Sequence, residues 1–205
     1  MREHHSHMME QPLTDDDIAR ALGRRLKGLR RKAGLTLDAL AEQAGISRAM
    51  ISRIERGESS PTAVLLGRLC AGLGVSLASL FAREAPVASP LQRAGEQPVW
   101  QDPETGYVRR AVSPSGTGSP VEIVDVTLPP GARVAFDHPW LSRGIDQHVW
   151  VLDGTLEKTV GDEVFLLHTG DCLHMRLDRP NVYRNPGTRP VRYAVVLAPV
   201  DERKG

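Results

Sequence analysis

The stretch LDALAEQAGISRAMISRIER, residues 37–56, decides the fold of the first half of the chain. Ile46, Met50, Ile51 and Ile54 recur at steps of three to five residues, so one side of a helix is expected to be buried here. Gly45 precedes this helix and accepts the positive φ that a tight turn between two helices requires. The opposite side of the helix carries small or cationic side chains, namely Ser47, Arg48, Ala49, Ser52 and Arg53. This pattern predicts a helix that packs on one side and can contact another molecule on the other.

Helical spacing continues on both sides of this stretch, over residues 15–81. In the first predicted helix, Ile18, Leu22, Leu26 and Leu29 form an apolar stripe, and basic side chains, Arg30 among them, are expected to cover the remaining surface. We therefore predict an all-α domain that begins with an amphipathic helix.

Capping residues divide the segment into five predicted helices. Thr36 and Ser47 are expected to cap the second and third helices, because their hydroxyl oxygens can accept a hydrogen bond from a free backbone amide. Ser60 followed by Pro61 predicts the start of a fourth helix, and Ser76 the start of a short fifth.

The charge of the chain is divided unevenly between its two halves. The net charge is +1, but residues 15–83 contain 12 Lys/Arg against 7 Asp/Glu, whereas residues 84–205 contain 13 against 16. A basic first half points to an anionic partner, of which nucleic acid is the commonest.

Composition excludes some classes of protein. No run of about 18 apolar residues exists, so a membrane span is not expected. Residues 1–14 lack the apolar segment of a secretory signal, and we expect them to be a disordered tail of a cytoplasmic protein, either natural or the remnant of an expression tag. The two cysteines, Cys70 and Cys172, share no motif and are expected to be reduced thiols in protein cores.

The character of the sequence changes after the helical segment. Residues 82–98 are rich in Ala, Pro and polar residues without a period, which indicates a linker. Residues 99–200 show short strand-like runs, separated by turn residues at spacings of about 8–12 residues, which is typical of an all-β sandwich or barrel. The runs include VEIVDVTL, HVWVLDG, LEKTV, EVFLL and RYAVVL.

Residues 16–81 resemble the helix-turn-helix of phage repressors and of the xenobiotic-response-element (Xre) regulators, through Ala41, Gly45 and the apolar positions that follow. The resemblance implies that the third helix contacts DNA, and it places Thr36 and Gln43 close to the phosphates. Leu37 departs from the pattern, because many members carry Gln there. The implied base- and backbone-contacting residues are Ser47, Arg48, Ala49, Ser52 and Arg53. The alternative is a helical bundle that binds protein or nothing.

Residues 99–199 resemble the cupin superfamily, through the spacing of VLDG, VGDE, TGD and YRNPG. The resemblance implies a small jelly-roll barrel, which in metal-binding members supplies His and Glu ligands. Here Gln147 stands at the Glu position and Asn181 at the His position of the second motif, and amides are poor ligands for transition metals. We therefore predict no metal site and no cofactor, although His138, His148, His168 and His174 are further candidate donors.

The same positions suggest what the barrel interior holds instead. Gln147, Asn181 and Tyr183 are predicted to line it with neutral hydrogen-bonding groups that suit a small polar or amphipathic organic effector. The alternative is a barrel mouth filled by its own side chains, which serves only to dimerise.

Together these features predict a DNA-binding transcriptional regulator, expected to be a repressor that binds a double-stranded operator as a homodimer. It is not expected to be an enzyme, since no acid–base pair is evident. Two alternatives remain open at this point. One is a cupin enzyme, such as an isomerase or dioxygenase, with an appended DNA-binding module, and the other is an antitoxin-like interaction protein.

Overall fold

The structure is a computed structural model that describes residues 15–81, 89–136 and 144–200. The predicted disordered tail (residues 1–14), the first part of the predicted linker and His138 lie outside the described residues.

Residues 15–81 form a helical domain. Four of its helices have eight or more residues and a fifth has five, within the part of the chain that the structure describes. Their bounds are α1 Asp15–Lys32, α2 Leu37–Ala44, α3 Arg48–Glu55, α4 Ala63–Leu73 and α5 Leu77–Phe81.

The two predicted caps of α2 and α3 are confirmed. The hydroxyl of Thr36 accepts a hydrogen bond from the backbone amide of Ala39 at 3.0 Å, and that of Ser47 accepts one from Met50 at 3.2 Å. The predicted start of the fourth helix at Ser60 and Pro61 is wrong by two residues. Thr62 is the cap there, because its hydroxyl accepts the amide of Leu65 at 3.3 Å.

Helices α1 and α3 cross at a glycine. A Cβ at Gly23 would lie 2.9 Å from the carbonyl oxygen of Glu55 and closer still to that of Ile54, so only glycine lets the two backbones approach this closely. The crossing places Leu22 and Leu26 of α1 in the core with Ile54.

Arg30 also joins α1 to α3, and the prediction that it covers the surface is wrong. Its guanidinium forms a two-pronged ion pair with Glu55, with N–O distances of 2.6 and 2.9 Å, and donates to the carbonyl of Leu35 at 2.8 Å. Both side chains of the pair are at most 10% exposed. The pair connects α1, the turn that follows it and the end of α3, and its hydrogen bonds offset the cost of burying the two charges.

Residues 99–200 form two antiparallel sheets. The six-stranded sheet has the order β1-β2-β3-β10-β5-β8 and the four-stranded sheet the order β4-β9-β6-β7. The strands are β1 Val99–Gln101, β2 Val108–Ala111, β3 Glu122–Leu128, β4 Arg133–Phe136, β5 Ile145–Asp153, β6 Thr155–Val160, β7 Glu163–His168, β8 Cys172–Arg176, β9 Asn181–Arg184 and β10 Val191–Pro199. A short 3₁₀ turn, Ala94–Glu96, precedes β1.

Side chains alternate between the interior and the outer surface along β5. Gln147, Val149 and Val151 are buried between the sheets, whereas His148 and Trp150 are exposed. The alternation therefore keeps His148 away from Gln147.

The two sheets of residues 99–200 together form the barrel. The helical domain packs directly on it. The carboxylate of Asp102, in the β1–β2 turn, accepts the backbone amide of Ala63 at 3.1 Å and so caps the first turn of α4. Phe81 packs against Trp100 with ring centroids 5.7 Å apart. A cavity of ≈ 230 Å³ remains between α1 and the β1–β2 turn.

The two cysteines differ in their exposure to solvent. Cys70 is buried as expected, but the prediction that Cys172 is buried in a core is wrong, because it lies exposed on the outer face of the sheet. Among the described residues, no helix combines the length and apolarity that crossing a lipid bilayer requires.

Candidate functional site

The outer side of α3 is an exposed surface with short side chains and two arginines. Ser47, Arg48, Ala49 and Arg53 are exposed, while Ile51 on the opposite side is fully buried. The helix is therefore held by its apolar side, and the predicted contact residues lie together on the other side.

Arg48 has a weak partner on the neighbouring helix. Its Nε lies 3.4 Å from the carboxylate of Asp38, and the two side chains are 66% and 75% exposed. Exposed pairs of this kind contribute little stability and are screened by salt. Arg48 can therefore leave Asp38 for a phosphate or a base at small cost.

Ser52 is engaged by an arginine that the predicted contact set did not include. Arg56 donates to the hydroxyl of Ser52 at 2.5 Å and, through its other nitrogens, to Glu58 at 2.6 and 2.7 Å. The hydrogen bond from Arg56 lowers the pKa of the Glu58 carboxyl. Ser52 is half-buried, so it is less available than Ser47 at the start of the helix.

Thr36 and Gln43 lie at opposite ends of α2, and both are exposed. The oxygens of Thr36 and Ser47 accept amides as helix caps. Each hydroxyl still has its hydrogen to donate, which is the group that a phosphate oxygen requires.

The barrel brings together all three predicted effector-contacting residues. Gln147 donates from Nε2 to the hydroxyl of Tyr183 at 2.6 Å, and Asn181 lies on the same strand as Tyr183, two residues before it. All three side chains are at most 5% exposed. Burial raises the pKa of the Tyr183 hydroxyl.

Lys158 completes this cluster, and sequence reasoning missed it. Its Nζ donates to Asn181 Oδ1 at 2.6 Å and lies 3.3 Å from the centroid of the Tyr183 ring. Burial lowers the pKa of its amine well below the usual value. The alternation in LEKTV, which places Lys158 on the same face as Leu156, was the signal that could have found it.

The residues at the metal-ligand positions of cupins do not fit a transition metal. Gln147 and Asn181 offer amides, and both are already hydrogen-bonded to Tyr183 and Lys158. His148 and His174 are neighbours on the outer face, with ring centroids 4.9 Å apart. Among the described residues, no group of three His, Cys, Asp or Glu side chains could hold a metal ion.

A cavity of ≈ 30 Å³ lies at the mouth of the barrel, and both halves of the chain line it. Space of this size holds about two water molecules, so a larger occupant requires its walls to move. Its lining includes Ser76 and Leu77 from the start of α5 and, from the barrel, Arg109, Gln147, Asn181 and Tyr183. The interior of the barrel is thus largely filled by its own side chains.

Comparison with known protein families finds a match in each half of the chain. A model of the helix-turn-helix domain matches residues 21–81, and a model of the cupin domain matches residues 124–197.

Two curated proteins are similar to this chain in sequence, and a solved structure is similar to it in fold. The HTH-type transcriptional regulator SutR of Escherichia coli (strain K12) is 32% identical over 178 residues, which cover 87% of this chain and 94% of SutR. The control protein C.MunI of Mycoplasma sp is 37% identical over 67 residues, which cover 32% of this chain and 90% of that protein. The crystal structure of an HTH_3 family transcriptional regulator from Vibrio cholerae matches with a TM-score of 0.74 at 27% identity, covering 90% of this chain and 98% of that one.

Proposed function

Because the chain belongs to the family of HTH-type transcriptional regulators that join a helix-turn-helix domain to a cupin domain, we propose that it binds a double-stranded operator as a homodimer and represses the genes beside it. The family confirms the predicted fold class, DNA binding and transcriptional regulation. The observation that carries the operator proposal is the exposed side of α3, where two arginines stand among short side chains.

In this proposal α3 enters the major groove. The groove is about 12 Å wide, so the short side chains of Ser47, Ala49 and Ser52 let the helix backbone approach the bases. Arg48 and Arg53 then reach guanine edges or phosphates. Thr36, which caps α2, and Gln43, near its end, donate to the phosphates and fix the position of the recognition helix.

A homodimer is proposed because one recognition helix reads too few base pairs to be selective, whereas two helices related by a two-fold axis read two half-sites. The outer face of the six-stranded sheet is the proposed contact between the two copies. It exposes Trp150 (49%) and Ile123 (38%), side chains that a monomer would leave in water.

The domain boundaries that we propose are residues 15–81 for DNA binding, 82–98 for the linker and 99–200 for the cupin domain, in a protein that acts in the cytoplasm. We propose that the cupin domain is a sensor rather than an enzyme. Gln147, Asn181 and Tyr183 are the proposed contacts of a small organic effector at the barrel mouth, since amide and hydroxyl groups orient a ligand without reacting with it.

Selection of DNA fragments from a random pool tests the proposed function. The full chain should enrich one motif with two half-sites, and a variant with Arg48 and Arg53 both changed to Ala should lose the enrichment. The matched control changes Arg179 and Arg184, exposed on the barrel, to Ala, and it should enrich the same motif. A wild-type protein that enriches no motif, or a double variant that enriches the same one, would contradict the proposal.

A further inference from the structure

The barrel contains three buried polar atoms that lack hydrogen-bond partners within the described parts of the chain. They are Arg109 Nη2, Asn181 Nδ2 and Tyr193 Oη. The three side chains are 7%, 2% and 0% exposed. An unpaired buried polar group is costly, and two of these side chains, Arg109 and Asn181, line the cavity at the barrel mouth, so the cavity is where a partner is expected.

All three atoms carry hydrogens to donate. Arg109 Nη1 donates to the hydroxyl of Tyr107 at 3.3 Å, whereas Nη2 has no acceptor among the described residues. Asn181 Oδ1 accepts a hydrogen bond from the amine of Lys158, whereas the hydrogens on Asn181 Nδ2 have no acceptor among the described residues. Tyr193 stacks on Tyr183, with ring centroids 5.5 Å apart, and its hydroxyl has no acceptor among the described residues.

A guanidinium and a carboxylate both lie near the cavity, since Arg109 lines it and Glu122 accepts a hydrogen bond from the lining residue Ser76 at 2.5 Å. The guanidinium of Arg109 is a cation. No carboxylate of the described residues forms an ion pair with it. A buried cation with spare donors is stabilised by an anion that accepts more than one hydrogen bond.

We propose that this cavity binds a small carboxylate, with its two oxygens accepting hydrogen bonds from Arg109 and Asn181. A carboxylate has two acceptor oxygens, which matches a cavity of ≈ 30 Å³ with room for about two water-sized groups. Water can also accept these hydrogen bonds, but it does not neutralise the charge of Arg109.

The position of the site connects it to DNA binding, a step that rests on the proposed function. The cavity wall includes Ser76, the residue before α5, and Leu77, the first residue of that helix. A carboxylate larger than the cavity must displace this segment relative to the barrel. Occupancy of the site and the position of the DNA-binding domain are then coupled.

Calorimetric titration of the full chain with sodium acetate, in the absence of DNA, tests the site itself. Acetate should bind saturably, and acetamide and sodium chloride at the same ionic strength should not. Arg109→Gln should weaken acetate binding at least tenfold, and Arg109→Lys, which keeps the charge, should weaken it less. Arg110→Gln, on the same strand with its side chain on the other face, is the matched control and should bind as the wild type does.

Three results would overturn the proposal. They are no saturable binding of acetate, equal binding of acetamide or chloride, and equal losses in the Arg109→Gln and Arg110→Gln variants. Far-ultraviolet circular dichroism establishes that each variant is folded, and Arg109→Lys carries the test if Arg109→Gln is not. Because no DNA is present, a failure here leaves the DNA-selection result standing, and the reverse also holds.

Discussion

Arg48 and Arg53 differ in their surroundings although they share the exposed side of α3. Arg48 lies near Asp38, whereas Arg53 forms no ion pair among the described residues. Changing either residue to Ala should weaken operator binding by about 1–3 kcal/mol, if each contacts a base. Titration of operator and scrambled DNA measures this, with Arg179→Ala as the control. Equal losses on both DNAs would show that these arginines hold phosphates instead of reading bases.

Lys158 gives a second prediction at the residue scale. Burial lowers the pKa of its amine below 10.5, the value expected in the unfolded chain, so the unfolded state binds the proton more tightly. Stability should therefore rise with pH between the two pKa values, and the cost of burying this amine disappears above 10.5.

Lys158→Met removes the titrating amine, together with its hydrogen bond to Asn181. The free energy of unfolding of the wild type relative to the variant should therefore rise with pH towards 10.5, by up to about 1.4 kcal/mol per pH unit. Urea unfolding of both proteins at pH 7 to 10 measures this difference, and Lys27→Met, at an exposed position of α1, is the matched control for the loss of a lysine. A difference that is constant over the whole range, or one that changes equally in Lys27→Met, would contradict this account.

Individual residues were predictable from sequence where local chemistry decides them. Thr36 and Ser47 cap their helices because the hydroxyl and the amide it accepts are three residues apart. Arg30 was misplaced because its partner, Glu55, is 25 residues away. The alternation of side chains along β6 predicts that Lys158 is buried, but lysines are rarely buried in proteins, which argues against that prediction.

At the scale of elements, the crossing of α1 and α3 gives a paired prediction within one helix. Gly23→Ala places a methyl group against the backbone carbonyls of α3 and should lower the free energy of unfolding by about 1–3 kcal/mol. Gly28→Ala, in the same helix with no neighbouring atom within 4 Å, should raise it by about 1 kcal/mol. Chemical denaturation of the two variants compares them, and effects of the same sign would refute the proposed crossing.

Helices and long strands were easier to predict than short strands. A periodic pattern is recognisable when an element has seven or more residues, as in α1, β3, β5 and β10. Strands β2, β4 and β9 have four residues each, too few to show a period, and they form because distant strands pair with them. The barrel was therefore predicted from turn spacing and family resemblance more than from each strand.

At the scale of the whole molecule, the two domains are joined by a helix cap. Asp102→Ala removes the carboxylate that caps α4 from the β1–β2 turn and should lower the free energy of unfolding by about 0.5–2 kcal/mol. Glu104→Ala, two residues along and exposed, should have almost no effect. Thermal unfolding of both variants measures this, and faster hydrogen exchange at Ala63 should accompany the loss in Asp102→Ala only.

The packing of the two domains could not be predicted from sequence. Asp102 and Ala63 are 39 residues apart, and the intervening chain contains the aperiodic segment read as a linker. Sequence patterns specify which face of an element is apolar, but not which distant element covers it. For the same reason, the cavity between α5 and the barrel, and the position of Arg109 in its wall, became visible only in the structure.

The most direct test of the central claim, that α3 reads an operator within a dimer, is a hydroxyl-radical footprint on the selected DNA combined with the mass of the complex. Two protected patches about one helical turn (10–10.5 base pairs) apart, with two chains per duplex, are expected. A single patch with one chain bound, or protection that does not depend on the DNA sequence, would contradict the claim.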